Sequence, residues 1–285
     1  MINLVGEIGI NYAYGKSIDD FVDNAKKLID CASLSGFDYV KFQKRTPDIC
    51  VPQGQKSIKK EVPWRENHIT YLQYKKDIEF NDEYHELVSY CKTKGIRIFV
   101  SVWDMESVDF WSDLCMKENI CTMMKIPSAK ITDLELCKYA RKNCTMLQIS
   151  TGMSTETEIE QCVRVCNPDV IYHTNSAYPT PVDDLHLGYI KHLQKCYPDK
   201  EIGYSGHEYG LDTTIATVVH GVKWIERHIT LNHSLWGSDQ KASIEPVGMF
   251  KLVKGVRELE TAIQGEMQRI YRAYSRRNFR KGIQH

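Results

Sequence analysis

The sequence predicts a single (β/α)8 barrel, in which each strand of a parallel barrel is followed by a helix. Apolar and β-branched runs alternate with amphipathic helical patterns eight times along the 285 residues. That length suits one barrel, and no Gly-, Ser- or Pro-rich linker divides the chain. A doubly wound open sheet is the competing fold, but no GxGxxG turn follows the first strand. We therefore expect residues 1–285 to form one barrel domain.

The first two strand-helix units show the signals on which the other assignments rest. A strand is expected over residues 2–8, and the next helix opens near Ser17 and ends at Gly36. The second strand spans residues 38–43. Residues 44–80 are polar and contain three prolines, so we interpret them as a long elaboration of the second βα loop.

The rest of the chain repeats this pattern to its end. Further strands are expected over residues 96–101, 122–126, 146–150, 170–173, 202–204 and 222–226. Further helices are expected over 81–94, from about 105, over 132–142, 154–166, 183–195 and 210–220, and from about 245. Pro246 suits an early position of the last helix. The basic residues between 269 and 281 have helical spacing and indicate a solvated helix with a frayed end.

The composition is that of a globular protein without a charge preference for its partner. The chain has 37 basic and 37 acidic residues, so nothing indicates binding to nucleic acid or to a membrane surface. No apolar run approaches membrane-spanning length. Ten cysteines are scattered without a CxxC pair, which favours reduced thiols. We therefore expect a soluble, cytoplasmic protein.

Polar side chains collect where the predicted strands end, and such ends meet at the ligand-binding face of a parallel barrel. These residues are Glu7, Lys41, Gln43, Lys125, Ser128, Ser150, Ser176, Tyr178, Ser205, His207, Glu226 and His228. Lys41 and Lys125 stand in otherwise apolar strands, where a buried ammonium needs a negative partner. A bound phosphate or carboxylate would supply that partner. The alternative is that Lys41 and Lys125 pair with Glu7 or Glu226 across the barrel.

His207 and His228 follow two adjacent strands near the end of the chain. Two imidazoles at one barrel mouth, with Glu226 and Asp239 close in sequence, indicate a site for one divalent metal ion. Mn²⁺, Mg²⁺, Fe²⁺, Co²⁺ and Zn²⁺ all accept such ligands. The other interpretation is that each histidine is a hydrogen-bonded structural residue.

Seven motifs now identify a family, because they occur in order at the strand ends. They are EIGIN at 7–11, VKFQ at 40–43, KIPS at 125–128, ISTGM at 149–153, YPTP at 178–181, GYSGH at 203–207 and ERHIT at 226–230. Together they resemble the sialic acid synthases, the N-acetylneuraminate synthase family. The resemblance runs from residue 2 to about residue 260.

The resemblance implies a barrel that condenses phosphoenolpyruvate with an aldehyde sugar such as N-acetylmannosamine. A divalent ion, most often Mn²⁺ with Mg²⁺ or Co²⁺ as alternatives, would be held by His207 and His228. Residues that match the phosphoenolpyruvate site are Lys41, Lys125, Ser128, Ser150 and Ser205, with Ser176 at the same mouth. By the same matching, Glu7, Gln43 and Tyr178 line the pocket and Asp239 contacts the sugar. Glu7 or Glu226 would stabilise positive charge or accept a proton.

Some features depart from the family's pattern and bear on the acceptor sugar. We expect a short form that lacks the C-terminal antifreeze-like domain of many members, with a homodimer as the candidate assembly. Lys130 stands where the better-known enzymes have an acidic residue, and Gly206 replaces their usual aspartate. A synthase of another ulosonic acid, using a phosphorylated or non-acetylated aldose, is therefore an alternative. From other classes, a metal-dependent hydrolase or isomerase and a non-catalytic sugar-binding barrel stay open.

Overall fold

Eight parallel strands close into a barrel in the computed structural model, which describes residues 1–263, so the basic segment at 269–281 lies outside the described residues. The strands are β1 Asn3–Gly9, β2 Tyr39–Lys44, β3 Lys59–Lys60, β4 Ile69–Thr70, β5 Arg97–Val102, β6 Met123–Ile126, β7 Met146–Ser150, β8 Val170–Thr174, β9 Glu201–Gly206 and β10 Trp224–His228. Around the barrel they follow the order β1-β10-β9-β8-β7-β6-β5-β2. The expected barrel is confirmed, and the open sheet is excluded.

Helices surround the barrel and cover its outer face. They are α1 Ile18–Ser35, α2 Pro47–Cys50, α3 Tyr71–Asp77, α4 Glu83–Lys94, α5 Met105–Glu118, α6 Leu134–Lys142, α7 Glu156–Cys166, α8 Tyr189–Cys196, α9 Asp212–Ala216 and α10 Pro246–Ile263. The bounds of α1 match the sequence signals, because Ser17 forms a capping box with Asp20 and Gly36 has the left-handed φ of 90°. No helix among residues 1–263 is long and apolar enough to cross a membrane.

Two of the expected helices are shorter than the sequence pattern indicated. The helix predicted over 183–195 is confined to α8, because His186 has φ 44° and Gly188 follows as its N-cap. The helix predicted over 210–220 is α9 followed by a 3-10 turn at Thr217–His220. β-Branched threonines and valines dominate that stretch and lower its helix propensity.

Residues 44–80 are not an unstructured loop. They contain α2, the antiparallel hairpin of β3 and β4, and α3, in that order. Tyr74 of α3 is buried against Trp64 and Trp236, with ring centroids 6.2 and 5.6 Å apart. These contacts fix the segment at the end of the barrel where the strands terminate.

The barrel interior has two layers of different chemistry. Near the amino ends of the strands, an aromatic layer joins Tyr39 to Phe99 and Trp224, with centroids 5.9 and 5.1 Å apart. Tyr172 belongs to the same layer, and the Lys125 ammonium lies 3.9 Å from its ring centroid. Because side chains alternate along each strand, the next inward positions toward the carboxyl ends carry the charged residues. The aromatic layer therefore closes the barrel beneath a polar mouth.

Gly203 leaves room for that aromatic layer. It pairs with Tyr172 on one side and Trp224 on the other, and a Cβ there would lie 2.7 Å from the Tyr172 ring. We predict that Gly203→Ala lowers the free energy of unfolding by about 1–3 kcal/mol through overpacking. Urea denaturation followed by far-UV circular dichroism measures this. Gly54→Ala is the control, since a Cβ at Gly54 has no neighbour within 4 Å; equal stability changes in both variants would contradict the prediction.

Candidate active site

The sequence-predicted site residues come together in one pocket at the carboxyl ends of the barrel strands. All of them except Asp239 line it: Glu7, Lys41, Gln43, Lys125, Ser128, Ser150, Ser176, Tyr178, Ser205, His207, Glu226 and His228. Residues separated by up to 221 positions in the chain thus share one cavity because parallel strands end at the same face.

Two lysines and two glutamates form a charged quartet at the base of this pocket, and each is at most 3% exposed. The Lys41 ammonium lies 2.6 Å from Glu7 Oε2 and 3.6 Å from Glu226 Oε1. It also donates a 2.9 Å hydrogen bond to Ser101 Oγ. The Lys125 ammonium lies 2.9 Å from Glu226 Oε2. Glu226 therefore bridges both lysines, and the four formal charges cancel.

Lys41, Lys125 and Glu226 have pKa values shifted in different directions. Burial lowers the pKa of Lys125 to about 8, against the attraction of Glu226. Burial also acts on Lys41, but Glu226 and Glu7 together outweigh it and raise its pKa. Burial would raise the pKa of Glu226, and the two lysines instead hold it at about 2. Of the two alternatives for the lysines, pairing with glutamates is therefore observed, and it leaves Lys125 the less stably charged lysine.

Hydroxyl groups cluster along the wall that the ends of β6, β7, β8 and β9 form. Ser128 Oγ accepts a 3.1 Å hydrogen bond from the amide of Gly152. A Cβ at Gly152 would lie 2.3 Å from Ser176 Oγ and 2.8 Å from Ser128 Oγ, so only glycine allows these serines to approach. Ser150 completes this wall, and Ser205 donates a 3.2 Å hydrogen bond to Glu226. The pocket thus combines ammonium groups with several hydroxyl donors, which is the donor set that phosphate and carboxylate ligands require.

The two histidines face each other across the Tyr178 hydroxyl. Their ring centroids are 5.3 Å apart, and the Tyr178 oxygen lies 2.8 Å from Nε2 of His207 and 3.3 Å from Nε2 of His228. On its other side, His207 Nδ1 lies 2.6 Å from the carbonyl oxygen of Asn175. A carbonyl only accepts, so Nδ1 carries the proton and Nε2 presents a lone pair. Burial and the nearby His228 lower the pKa of His207 to about 3, which keeps it neutral.

This pair fits a divalent metal ion, with two protein ligands. His228 Nδ1 is buried without a hydrogen bond and lies 3.7 Å from Asp239 Oδ2. Both Nδ1 atoms thus face an oxygen acceptor, the arrangement that directs Nε2 of a histidine toward a metal. No three His, Cys, Asp or Glu side chains within residues 1–263 converge on one metal position. Glu226 and Asp239 therefore do not act as further ligands at that position. Glu226 pairs with the two lysines, and Asp239 lies on the Nδ1 side of His228, away from its Nε2.

One further expectation concerns the rim. Lys130 lies 3.6 Å from the carboxylate of Asp133 and does not line the pocket, so it is directed away from the mouth. Ser101 and Trp103, at and just past the end of β5, also line the pocket, and so does Thr174, which the sequence reasoning overlooked. The inward alternation along β8 would have identified Thr174.

A buried ion pair holds the segments that carry both histidines. The Arg227 guanidinium donates to the carbonyl oxygen of Glu208 at 2.6 Å and to Thr214 Oγ1 at 2.6 Å, and lies 3.5 Å from Glu208 Oε1. Tyr204 donates a 3.0 Å hydrogen bond to Glu208 Oε2. A Cβ at Gly206 would lie 2.5 Å from that oxygen, so the Glu208 carboxylate occupies the space that a side chain at Gly206 would need. Each partner of the pair adjoins one histidine in the chain.

Comparison with known proteins relates this chain to a family of synthases. A family model described as the NeuB family matches residues 28–268. A mouse protein named N-acetylneuraminate-9-phosphate synthase is 34% identical over 268 residues, which cover 91% of this chain and 70% of that protein. The N,N'-diacetyllegionaminic acid synthase of Campylobacter jejuni is 30% identical over 268 residues, covering 91% of this chain and 77% of that protein.

A solved structure shows the same fold over nearly the whole length. It is an N-acetylneuraminic acid synthetase from Leptospira borgpetersenii in complex with citrate, with a TM-score of 0.81 and 22% sequence identity. The match covers 99% of this chain and 92% of that chain. At this level of identity the likeness concerns the fold.

We predict that Arg227→Met lowers the free energy of unfolding by about 3–5 kcal/mol, because it leaves the buried Glu208 carboxylate without its cation. Guanidinium denaturation monitored by fluorescence measures the change. Lys26→Met is the matched control, since Lys26 pairs with the exposed Glu86 and should cost no more than about 1 kcal/mol. Equal costs for the two substitutions would show that the Arg227–Glu208 pair does not stabilise the fold.

Proposed function

Since the chain belongs to the NeuB family, we propose that it condenses phosphoenolpyruvate with an N-acylmannosamine-like aldehyde, giving a nonulosonic acid and phosphate. One observation carries this proposal. The buried lysines, the hydroxyl wall and the histidine pair line a single pocket. An anionic three-carbon donor and an aldehyde oxygen would find their binding groups side by side there.

The donor would bind to the lysines and the serines. Phosphoenolpyruvate carries a carboxylate and a phosphate, and Lys41 and Lys125 supply two ammonium groups for them. Hydroxyls of Ser128, Ser150 and Ser205 add donors. Binding requires each lysine to exchange part of its contact with a glutamate for contact with the substrate. The carboxylates of Glu7 and Glu226 then stay beside the bound donor.

The histidines would hold a divalent metal ion, with Mn²⁺ as the first candidate and Mg²⁺ or Co²⁺ as alternatives. Bound there, such an ion supplies Lewis acidity toward the aldehyde oxygen. Neighbouring oxygen atoms orient both histidine side chains for metal binding. The Asn175 carbonyl fixes the tautomer of His207, and the Asp239 carboxylate lies 3.7 Å from Nδ1 of His228.

The glutamates would assist the change at C2 of phosphoenolpyruvate. When C3 attacks the aldehyde carbon, C2 becomes electron-poor and the aldehyde oxygen takes a proton to become a hydroxyl. Water adds to C2 while Glu7 or Glu226 stabilises the positive charge or accepts the water proton. The tetrahedral intermediate then loses phosphate by cleavage of the C2–O bond, which leaves the keto acid. Lys41 and Lys125 stabilise the departing phosphate.

The acceptor sugar is the open part of this proposal. The relatives' names include a product with a 9-phosphate and a diacetylated legionaminic acid. Both are nonulosonic acids made from different aldoses. A second candidate function is therefore a synthase of another ulosonic acid, with the same donor and a phosphorylated or non-acetylated aldose.

The test is phosphate release from phosphoenolpyruvate with a panel of aldoses and Mn²⁺, with the acid product identified by mass spectrometry. We predict that His207→Ala or His228→Ala reduces turnover by more than about 100-fold. Loss of a residue that only hydrogen-bonds a metal ligand already costs up to about that factor, and these substitutions remove a ligand itself. Mn²⁺ binding, measured by calorimetric titration, should weaken in parallel. His85→Ala is the control, because His85 pairs with Glu118 away from the pocket. Full activity in either pocket variant would contradict the metal site, and no release with any aldose would favour a non-catalytic barrel.

Binding of phosphoenolpyruvate should weaken as pH rises above about 8, where Lys125 loses its proton in the free protein. Below that pH Lys125 is already protonated, so phosphoenolpyruvate binding takes up no proton there and the affinity does not depend on pH through this lysine. Lys41 has a raised pKa and stays charged over this range. The dissociation constant should therefore increase by up to about tenfold per pH unit above 8. Titrations between about pH 7 and 9.5 measure this, and Lys125→Met should remove the dependence. A constant affinity in the unmodified protein would contradict the role of Lys125.

A further inference from the structure

A second cavity lies at the rim of the mouth, between the 44–80 segment and the loop after β10. Its volume is about 380 Å³, and its lining includes Lys60, Tyr74, Lys75, Trp236 and Ser238. None of these residues belongs to the pocket described above. The cavity is large enough for a phosphate group and the sugar carbon that carries it.

Two ammonium groups lie in this cavity without a carboxylate in salt-bridge contact. Within residues 1–263, Lys60 and Lys75 have no Asp or Glu oxygen within 4 Å of their ammonium nitrogens. Aromatic rings hold the two ammonium groups instead: Lys75 lies 4.8 Å from the Tyr74 centroid and Lys60 lies 5.7 Å from that of Trp236. Such contacts attract a cation but leave its charge in place. Burial, together with the nearby Arg45 and Lys60, lowers the pKa of Lys75 to about 7, against the longer-range attraction of Asp239 and Glu79.

One segment of the chain connects this cavity with the histidine pocket. The two residues before Asp239 line the cavity, and Asp239 itself lies 3.7 Å from Nδ1 of His228. The Arg45 guanidinium lies outside the cavity lining, 4.3 Å from the ring centroid of Trp103. A ligand held in the histidine pocket and extending past Asp239 would therefore reach the cations.

We propose that this cavity binds the phosphate group of a phosphorylated aldose, at the end of the acceptor remote from its aldehyde. The proposal rests on the condensation proposed above and specifies its acceptor. A phosphate dianion matches the two lysine ammonium groups in charge and offers several acceptor oxygens. A neutral hydroxyl or acetamido group would leave both ammonium groups uncompensated. Bound phosphate also favours the charged form of Lys75, which removes the cost of holding it among other cations.

The experiment compares N-acetylmannosamine 6-phosphate with N-acetylmannosamine as acceptors, in the presence of phosphoenolpyruvate and Mn²⁺. Lys60→Met/Lys75→Met removes both charges while keeping similar side-chain length, and Lys75→Met alone is the milder variant. Lys59→Met is the matched control, because Lys59 is an exposed neighbour on the same strand. We expect the unmodified protein to prefer the phosphorylated acceptor by about 100-fold in kcat/KM, since two charge-assisted contacts of about tenfold each are lost without the phosphate. The double variant should lose most of this preference through the KM of the acceptor, with the KM of phosphoenolpyruvate unchanged.

The outcomes separate this inference from the proposed function. Turnover of both acceptors with no preference, or a preference that survives the double substitution, would overturn the phosphate site and leave the condensation intact. If phosphoenolpyruvate releases no phosphate with either acceptor, the condensation with these acceptors is contradicted. Calorimetric titration then tests whether the cavity binds the sugar phosphate. Weaker binding of N-acetylmannosamine 6-phosphate to the double variant than to the Lys59→Met control would then support it. Equal binding to both, or inorganic phosphate binding as tightly as the sugar phosphate, would overturn it.

Discussion

The site depends on the ion pairs among Glu7, Lys41, Lys125 and Glu226. A single buried charge in a barrel interior is costly, and removing one member of a buried pair leaves its partner uncompensated. Two cations and two anions solve this problem because their charges cancel within 3.6 Å: Glu7, Lys41 and Glu226 lie on three neighbouring strands, and Lys125 reaches Glu226 from β6 across the barrel. The aromatic layer beneath the quartet excludes water from below, so the charged groups interact mainly with one another and with what enters from the mouth. The aromatic layer and the quartet therefore form the floor of the pocket, and a ligand that enters from the mouth can reach no deeper than these charged residues.

The same quartet explains how one pocket can hold lysines both as structural partners and as ligand-binding groups. In the free protein the glutamates keep the lysines charged, most firmly for Lys41 and least for Lys125. In the proposed condensation, an anion of two or more charges would compete for the ammonium groups and favour their protonated forms. Glu7 and Glu226 would then face an electron-poor centre with part of their negative charge uncompensated. Pairing with glutamates and binding of an anion would therefore be successive states of the same four residues, although the sequence presented them as alternatives.

The sequence was sufficient for the barrel and for the residues that project inward from it. Strand periodicity and helix caps are local signals, and a closed parallel barrel brings every strand end to one face, so positions such as Lys125 and His228 followed directly. Other features depend on contacts between distant segments. Residues 44–80 carried no periodic pattern, and their place at the mouth depends on the packing of Tyr74 on Trp236. In the sequence, Arg227 is a charged residue in an otherwise apolar strand with no evident partner. Only the fold shows that Glu208, next to His207 in the chain, pairs with it.

Recognition of the two substrates would then be divided between different parts of the fold. Groups that would bind the donor sit on or directly after barrel strands, where neighbouring strands fix each side chain within the sheet. The two lysines at the rim come from α3 and the β3–β4 hairpin, and they line a cavity with the loop that carries Trp236 and Ser238. Changes in such segments do not disturb the strand register or the charged quartet. A barrel of this kind can keep one donor and one condensation while the surface segments determine which aldehyde reaches His207 and His228.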